Sequence, residues 1–196
     1  FKSIPSELII VDTGGTDGSI EIIKKTKARM INVSEKGYGS ALISGIQNSK
    51  GKYVIMGDCD DSYDFSNLMP FLVELRNNYD LVMGNRYLGG IEKGAMSFSH
   101  KIGVKALTYL GNIIYKTHLG DYHCGLRGFN KERILKLKLE HKGMDFASEI
   151  IIKSAKEGYK IKEIPTTLKK DGRNTKSHLK TIPDGILHVK CLLKNR

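Results

Sequence analysis

Four carboxylates lie within seven residues of one another in Asp58-Cys59-Asp60-Asp61-Ser62-Tyr63-Asp64, just after the apolar run Tyr53-Val54-Ile55-Met56. A buried strand brings its last residues to one edge of a sheet, and in open α/β sheets ligands bind outside the strands' carboxyl ends. Carboxylates this close repel one another unless a cation sits among them, and their hard oxygens suit Mg²⁺ or Mn²⁺. The same residues also fit a polar turn in which Asp64 caps the next helix. A calcium loop starting at Asp58 would need Gly at its sixth position and Glu at its twelfth; the chain has Tyr63 and Met69 there. What survives is a metal shared with a substrate phosphate, because Mg²⁺ usually takes one or two carboxylates plus phosphate oxygens.

Three further segments carry groups suited to anions. Glu7 to Asp12 predicts a buried strand, Thr13-Gly14-Gly15-Thr16-Asp17-Gly18-Ser19 a Gly-rich turn, and Ile20 to Ala28 a helix. That order sets backbone N–H groups and a helix N-terminus around a phosphate. No GK[ST] follows the glycines and the spacing is not GxGxxG, so a tight turn capped by Asp17 or Ser19 explains the stretch equally well. Lys36, beside Gly37 and Gly39 at a helix start, suits either a phosphate or solvent. Asp121 and Arg127 flank a loop-to-strand junction; they can pair with each other or hold substrate, the guanidinium serving as a planar fork for phosphate.

These groups need a scaffold, and hydrophobic periodicity predicts one. Strands are expected at 7–12, 29–33, 53–56 and 79–84, with helices between them at 20–28, 38–49 and 65–77. Such alternation predicts a mostly parallel sheet covered by helices. Leu88 to Gly94 is expected to be a flexible loop able to act as a lid. The stretch from Ile102 to Tyr115 is apolar around much of its circumference and flanked by Lys101, Lys105 and Lys116. It suits a buried core helix, or one with a side resting on lipid. A helix at 145–157 and a strand at 159–168 follow, with Pro165 pointing to an edge position. A basic loop at 169–176 leads into a basic amphipathic helix from about Ile182, with Ile186, Val189 and Leu193 on one side.

The 196 residues suit one domain, and no linker divides them. Lys plus Arg is 32 against 21 Asp plus Glu, a net charge of +11 that favours nucleic acid, an anionic membrane face or phosphate-bearing substrates. No apolar run of about 18 residues occurs and the start lacks a signal peptide's apolar region, so neither a spanning segment nor a leader is expected here. Three cysteines without zinc or CxxC spacing point to a reducing compartment. Nucleic-acid binding would need arginines and aromatics on one face; the aromatics are dispersed, and the acidic cluster would repel phosphate. A nucleotidyltransferase would use the same carboxylates and metal, and differs in its product.

The segments Ile10–Ser19, Lys36–Ala41, Gly57–Phe65, Gly84–Tyr87, Asp121–Arg127 and Gly143–Glu149, in that order and spacing, resemble family 2 glycosyltransferases of the GT-A fold. More narrowly they are similar to the polyprenyl-phosphate (dolichol-phosphate) hexosyltransferases. The resemblance implies an α/β fold with a mostly parallel sheet and helices on both faces. Residues 1–180 would be the catalytic domain without its first strand and helix, 181–196 a membrane-proximal helix, and an anchoring region would lie beyond Arg196. It implies inverting transfer of a hexose from a UDP-glucose- or GDP-mannose-type donor to a polyprenyl or dolichyl phosphate, at the cytoplasmic face of a membrane. By the same resemblance Asp12, Gly14, Asp17 and Lys36 would meet the nucleotide sugar. Asp58 and Asp60 would bind Mg²⁺ or Mn²⁺ and the donor diphosphate, and Arg86, Arg127 and Asp121 the acceptor phosphate. Asp58, Asp60 and Arg127 would be the catalytic set. Thr13 stands where the family usually has an acidic or amide residue.

Overall fold

The computed structural model describes residues 4–16, 18–172 and 181–194. In chain order the elements are β1 (Ile9–Asp12), α1 (Ser19–Lys24), β2 (Arg29–Asn32), α2 (Tyr38–Asn48), β3 (Tyr53–Met56), α3 (Met69–Arg76) and β4 (Leu81–Asn85). There follow α4 (Arg86–Gly89), α5 (Phe98–Tyr115), β5 (Arg127–Asn130), α6 (Lys131–Lys136), α7 (Phe146–Lys156), β6 (Ile161–Pro165) and α8 (Thr181–Lys194).

Strands β1 and β2 form a parallel pair, with Ile9 opposite Arg29. The other four make one sheet in the order β3-β5-β4-β6. Strand β4 is parallel to β6, but β5 runs antiparallel to both β3 and β4. The sheet is therefore mixed where a mostly parallel one was expected. Strand–helix alternation up to Gly84 sets the direction of the first strands. It says nothing about β5, which arrives from the loop after α5 and slots in reversed between β3 and β4. Pro165 does lie on an edge strand, since β6 pairs with β4 alone among the described strands.

Side chains alternate across β4, so Leu81 and Met83 enter one core and Val82 the other. The larger core gathers Ile46 of α2, Phe146 and Ile150 to Ile152 of α7, and Cys191 and Leu192 of α8. The smaller one holds Phe71 and Leu75 of α3 with Tyr63, Cys124 and Leu126. Helices thus cover both faces, as expected.

Helix bounds differ from the sequence reading in α1, which stops at Lys24 rather than Ala28, in α5, which starts at Phe98 rather than Ile102, and in α3. Helix α3 begins at Met69 rather than Phe65, with Pro70 in its first turn, where a fixed φ and a missing N–H are tolerated. Asp64 is not its N-cap: the carboxylate accepts from Ser66 N at 2.9 Å and closes its own turn. Helix α8 buries His188, Cys191 and Leu192, leaving Ile186 and Leu193 about half exposed. Among the described residues no helix is long and apolar enough to cross a membrane.

Candidate functional site

The acidic loop leaves β3 as predicted and is pinned on three sides. From the α2 side, Tyr38 hydrogen-bonds Asp58, and burial followed by the Asp58 charge pushes the phenol's pKa far up. From the β5 side, Tyr63, 3% exposed, accepts a bond from Gly125 N at 3.0 Å. Gly125 lies so close to Asp58 that any Cβ there would collide with the carboxylate. From the β6 side, Lys169 N donates to Ser62 O at 2.9 Å and Gly172 N to Asp60 O at 2.8 Å. Within the loop, Asp60 Oδ1 accepts from Ser62 N at 3.1 Å, and Asp61 takes a left-handed φ of 63°. The thiol of Cys59 is pushed up by the partial desolvation of its sulfur and by its carboxylate neighbours Asp58 and Asp60.

The groups expected to hold an acceptor phosphate behave otherwise. Asp121 does not pair with Arg127 but with Arg86, accepting from Nε at 2.6 Å, Nη2 at 2.8 Å and the backbone N of Arg86 at 3.1 Å. The pair is buried, Asp121 completely, which makes Asp121 the counter-ion of Arg86 rather than a phosphate contact. Arg127 is 1% exposed and points into the fold. Its guanidinium donates to Cys124 O, Ala147 O and Tyr122 O, each at 2.8 Å. It holds the shape of its own loop, and a direct phosphate fork is not the geometry found.

An open cavity of about 370 Å³ lies on the other side of Arg86. Its lining combines Arg86, Lys101 and Lys105 with Tyr87, Phe98 and Ile102. Lys105 stands over the Tyr87 ring, 5.0 Å from its centroid. Sequence reading placed both lysines beside a helix without linking them to Arg86. The signal was their i, i+4 spacing, which puts both on one helical face. The 88–94 segment beside the cavity is laced to the chain after β6 through Leu168 N to Gly90 O at 2.9 Å and Glu92 N to Leu168 O at 3.0 Å. The free lid expected there is not what these bonds give.

In the Gly-rich turn, Asp12 ends β1 and its carboxylate accepts from Gly14 N at 2.9 Å and Gly15 N at 3.1 Å, closing the turn. Gly14 needs its glycine, with φ of 97°. Asp17 lies outside the described residues. Helix α1 starts from Gly18 as its N-cap residue, in a left-handed conformation with φ of 85°. Lys36 is exposed. The glycine that follows Tyr38 admits the 141–143 loop: a Cβ at Gly39 would meet Phe146 Cβ at 2.9 Å and the backbone oxygens of His141 and Gly143. Tyr38, Tyr63 and Gly125 are the site residues that sequence reasoning missed.

Among the described residues no three His, Cys, Asp or Glu side chains converge into a metal cage. Asp58 and Asp60, two residues apart in one pinned loop, would instead suit a hard cation that takes its other ligands from phosphate and water. Zinc would want a tetrahedral set of nitrogen or sulfur donors, and calcium more protein oxygens.

Behind the 121–127 loop, His188 is held neutral, its pKa lowered to about 4 by burial. Since the folded value is depressed, stability from this group is fully present above about pH 6.5 and is lost as pH falls toward 4. Thermal unfolding followed between pH 7 and 4.5 should show a falling midpoint, and His188→Leu should flatten part of that slope. Equal slopes for the two proteins would contradict it.

The profile of Glycosyl transferase family 2 matches residues 3–137. The hexosyltransferase Agl6 of low-salt glycan biosynthesis in Haloferax volcanii is 34% identical over 194 residues, covering 98% of this chain and 46% of the relative. A dolichyl-phosphate hexose transferase of the same organism is 30% identical, covering 87% of this chain and 73% of the relative. The chain thus spans about half the length of one of these relatives and most of the other. Glucosyl-3-phosphoglycerate synthase from Mycobacterium tuberculosis, solved with Mn²⁺, UDP and phosphoglyceric acid, superposes with a TM-score of 0.72 at 16% identity over 96% of this chain and 67% of its own. At that identity it establishes the GT-A fold alone. With the profile covering well over half of its residues, the acidic loop included, the chain belongs to glycosyl transferase family 2.

Proposed function

We propose that this chain transfers a hexose from a nucleotide sugar to a lipid phosphate of the polyprenyl or dolichyl type, with inversion and with the help of Mg²⁺ or Mn²⁺. The observation that carries the reading is the adjacency of two unlike sites. The 121–127 loop touches Asp58 through Gly125 and Arg86 through Asp121, and Arg86 in turn lines a cavity with Lys101, Lys105 and apolar side chains. One suits a metal-bound diphosphate and the other an amphiphile with an anionic head. The dolichyl-phosphate hexose transferase relative supports the choice of acceptor class.

Asp58 and Asp60 would hold the metal, which supplies charge neutralisation for the departing nucleotide diphosphate. Tyr38 and Gly125 fix Asp58 in place, and the bonds from Lys169 and Gly172 fix the turn that carries Asp60. Lys101 and Lys105 attract the acceptor phosphate. That group is already ionised at neutral pH, so orientation matters more than a strong base. A panel of UDP- and GDP-sugars with Mg²⁺ or Mn²⁺ and a polyprenyl phosphate tests the proposal. Metal-dependent formation of a glycosylated lipid is expected, and absence of transfer and hydrolysis with every donor would overturn it.

A membrane surface, at the cytoplasmic face, is the setting we propose. On α5 the exposed Phe98, Ile102, Tyr109 and Ile113 fall within an arc of roughly 60° at 100° per residue. Val104, Thr108 and Gly111 face the opposite way and are buried. Lys101 and Lys105 flank the stripe at the mouth of the cavity. Phe98→Asp combined with Ile113→Asp should weaken co-sedimentation with anionic vesicles by about tenfold or more, since each side chain contributes on the order of 1 kcal/mol when partly buried in lipid. Unchanged binding would remove α5 from the contact.

A further inference from the structure

A buried hydrogen-bonded chain behind the loop is not used by the reading above. His188 Nδ1 lies 2.8 Å from Ser148 Oγ, which is 3.3 Å from His123 Nε2. The two rings meet edge to face, their centroids 4.4 Å apart. Ser148 is fully buried and His188 is 6% exposed. We propose that Ser148 and His188 are positioning residues for sugar transfer, acting through His123 to hold the 121–127 loop against Asp58 and Arg86. The inference rests on the transfer reading.

The loop is where donor-side and acceptor-side groups meet. His123 N donates to Asp121 Oδ1 at 3.1 Å, the carboxylate that fixes Arg86. Two residues later Gly125 lies against Asp58 and bonds Tyr63. Helix α7 grips this loop at consecutive residues: Ala147 O accepts from Arg127, and Ser148 Oγ meets His123. A hydroxyl has one proton to donate, so Ser148 Oγ can donate to at most one of the two ring nitrogens, and the other must donate its own proton to the oxygen. That limit ties the tautomer of His123 to that of His188. His123 Nδ1 is buried with no hydrogen-bond partner, so Nε2 alone orients the ring by hydrogen bonding. Burial first, then the facing His188, Arg127, Arg86 and His100, disfavour a charge on His123; around His188 burial leads, with Arg127 and His100 acting the same way against Asp145 and Asp184. A neutral ring keeps one nitrogen able to accept the hydroxyl proton. Through His188, a helix far along the chain becomes part of the site's support.

His188→Leu removes the bond at similar bulk, whereas His188→Asn keeps a polar atom where Nδ1 was. Leu should lower kcat for transfer by about tenfold with the nucleotide-sugar KM within about twofold, because small misplacements at a reacting centre reduce rate more than affinity. Asn should restore most of the loss. Equal kcat for the two variants, or a wild-type kcat for Leu, would overturn the proposal. An arm independent of activity uses Ser148→Ala and NMR of the ring nitrogens. Loss of one hydroxyl should shift the signals of both His123 and His188, and a shift in one ring or neither would overturn the relay. A wild-type protein that transfers no sugar removes the functional reading, while the spectra still decide the relay.

Discussion

Asp60→Asn should lower sugar transfer by at least about 10²-fold while leaving the protein folded. Asn matches Asp in size and keeps a carbonyl oxygen that can accept from Ser62 N, so the turn should survive. What disappears is the negative charge that would hold a hard cation beside a diphosphate. The loss should come with weaker Mn²⁺ binding in the presence of UDP, measured by titration calorimetry, and Asp60→Ala should abolish transfer. Asp58→Asn is a less clean probe, because Asp58 also bonds Tyr38 and packs against Gly125. Near-normal kcat in Asp60→Asn would show that the metal assignment is wrong.

The second large effect concerns stability. Asp121→Ala should cost about 3–5 kcal/mol, the usual consequence of stranding a buried charge by removing its partner. Arg86 is 5% exposed, and Asp121 accepts from its Nε, Nη2 and backbone N and from His123 N. Burial alone would lower the pKa of the guanidinium; the bonds and charge of Asp121 reverse that and raise it. Urea unfolding of the variant measures the cost, and a change below about 1 kcal/mol would show that the pair is not the anchor described. Replacing both partners with apolar residues should recover much of the loss, since neither charge is then left alone.

The acidic loop was legible in the sequence because an apolar run followed by clustered aspartates has few other uses. The helix that crosses to each of the early strands was legible for a similar reason: periods of 2 and 3.6 differ plainly. The reversal of β5 was not, since strand direction depends on a long-range insertion that no local pattern encodes. Arg127 misleads for a related cause. It stands in a motif suited to anions, yet burial turns it toward three carbonyls, whereas Arg86 is held by Asp121 and still lines the cationic cavity. Burial is a tertiary property, and a lone sequence gives only its average. Tyr38 was hidden between two glycines that drew attention as a phosphate turn. Gly39 instead admits the 141–143 loop, and Tyr38 reaches Asp58 across the gap between α2 and β3.

The segment from Thr166 to Gly172 touches both halves of the site. Thr167 and Leu168 bond Gly89, Gly90 and Glu92 near the cationic cavity, and Lys169 and Gly172 bond Ser62 and Asp60 in the acidic loop. One short stretch of backbone therefore acts as a crossbar between the acidic loop and the cationic cavity. Ordering it from either end lowers the entropic cost of ordering it from the other. Such coupling is reciprocal: the factor by which UDP and metal tighten the acceptor must equal the factor by which the acceptor tightens UDP. Matched titrations in both orders should return one common factor above unity, carried by a bar of seven residues rather than by any moving lid.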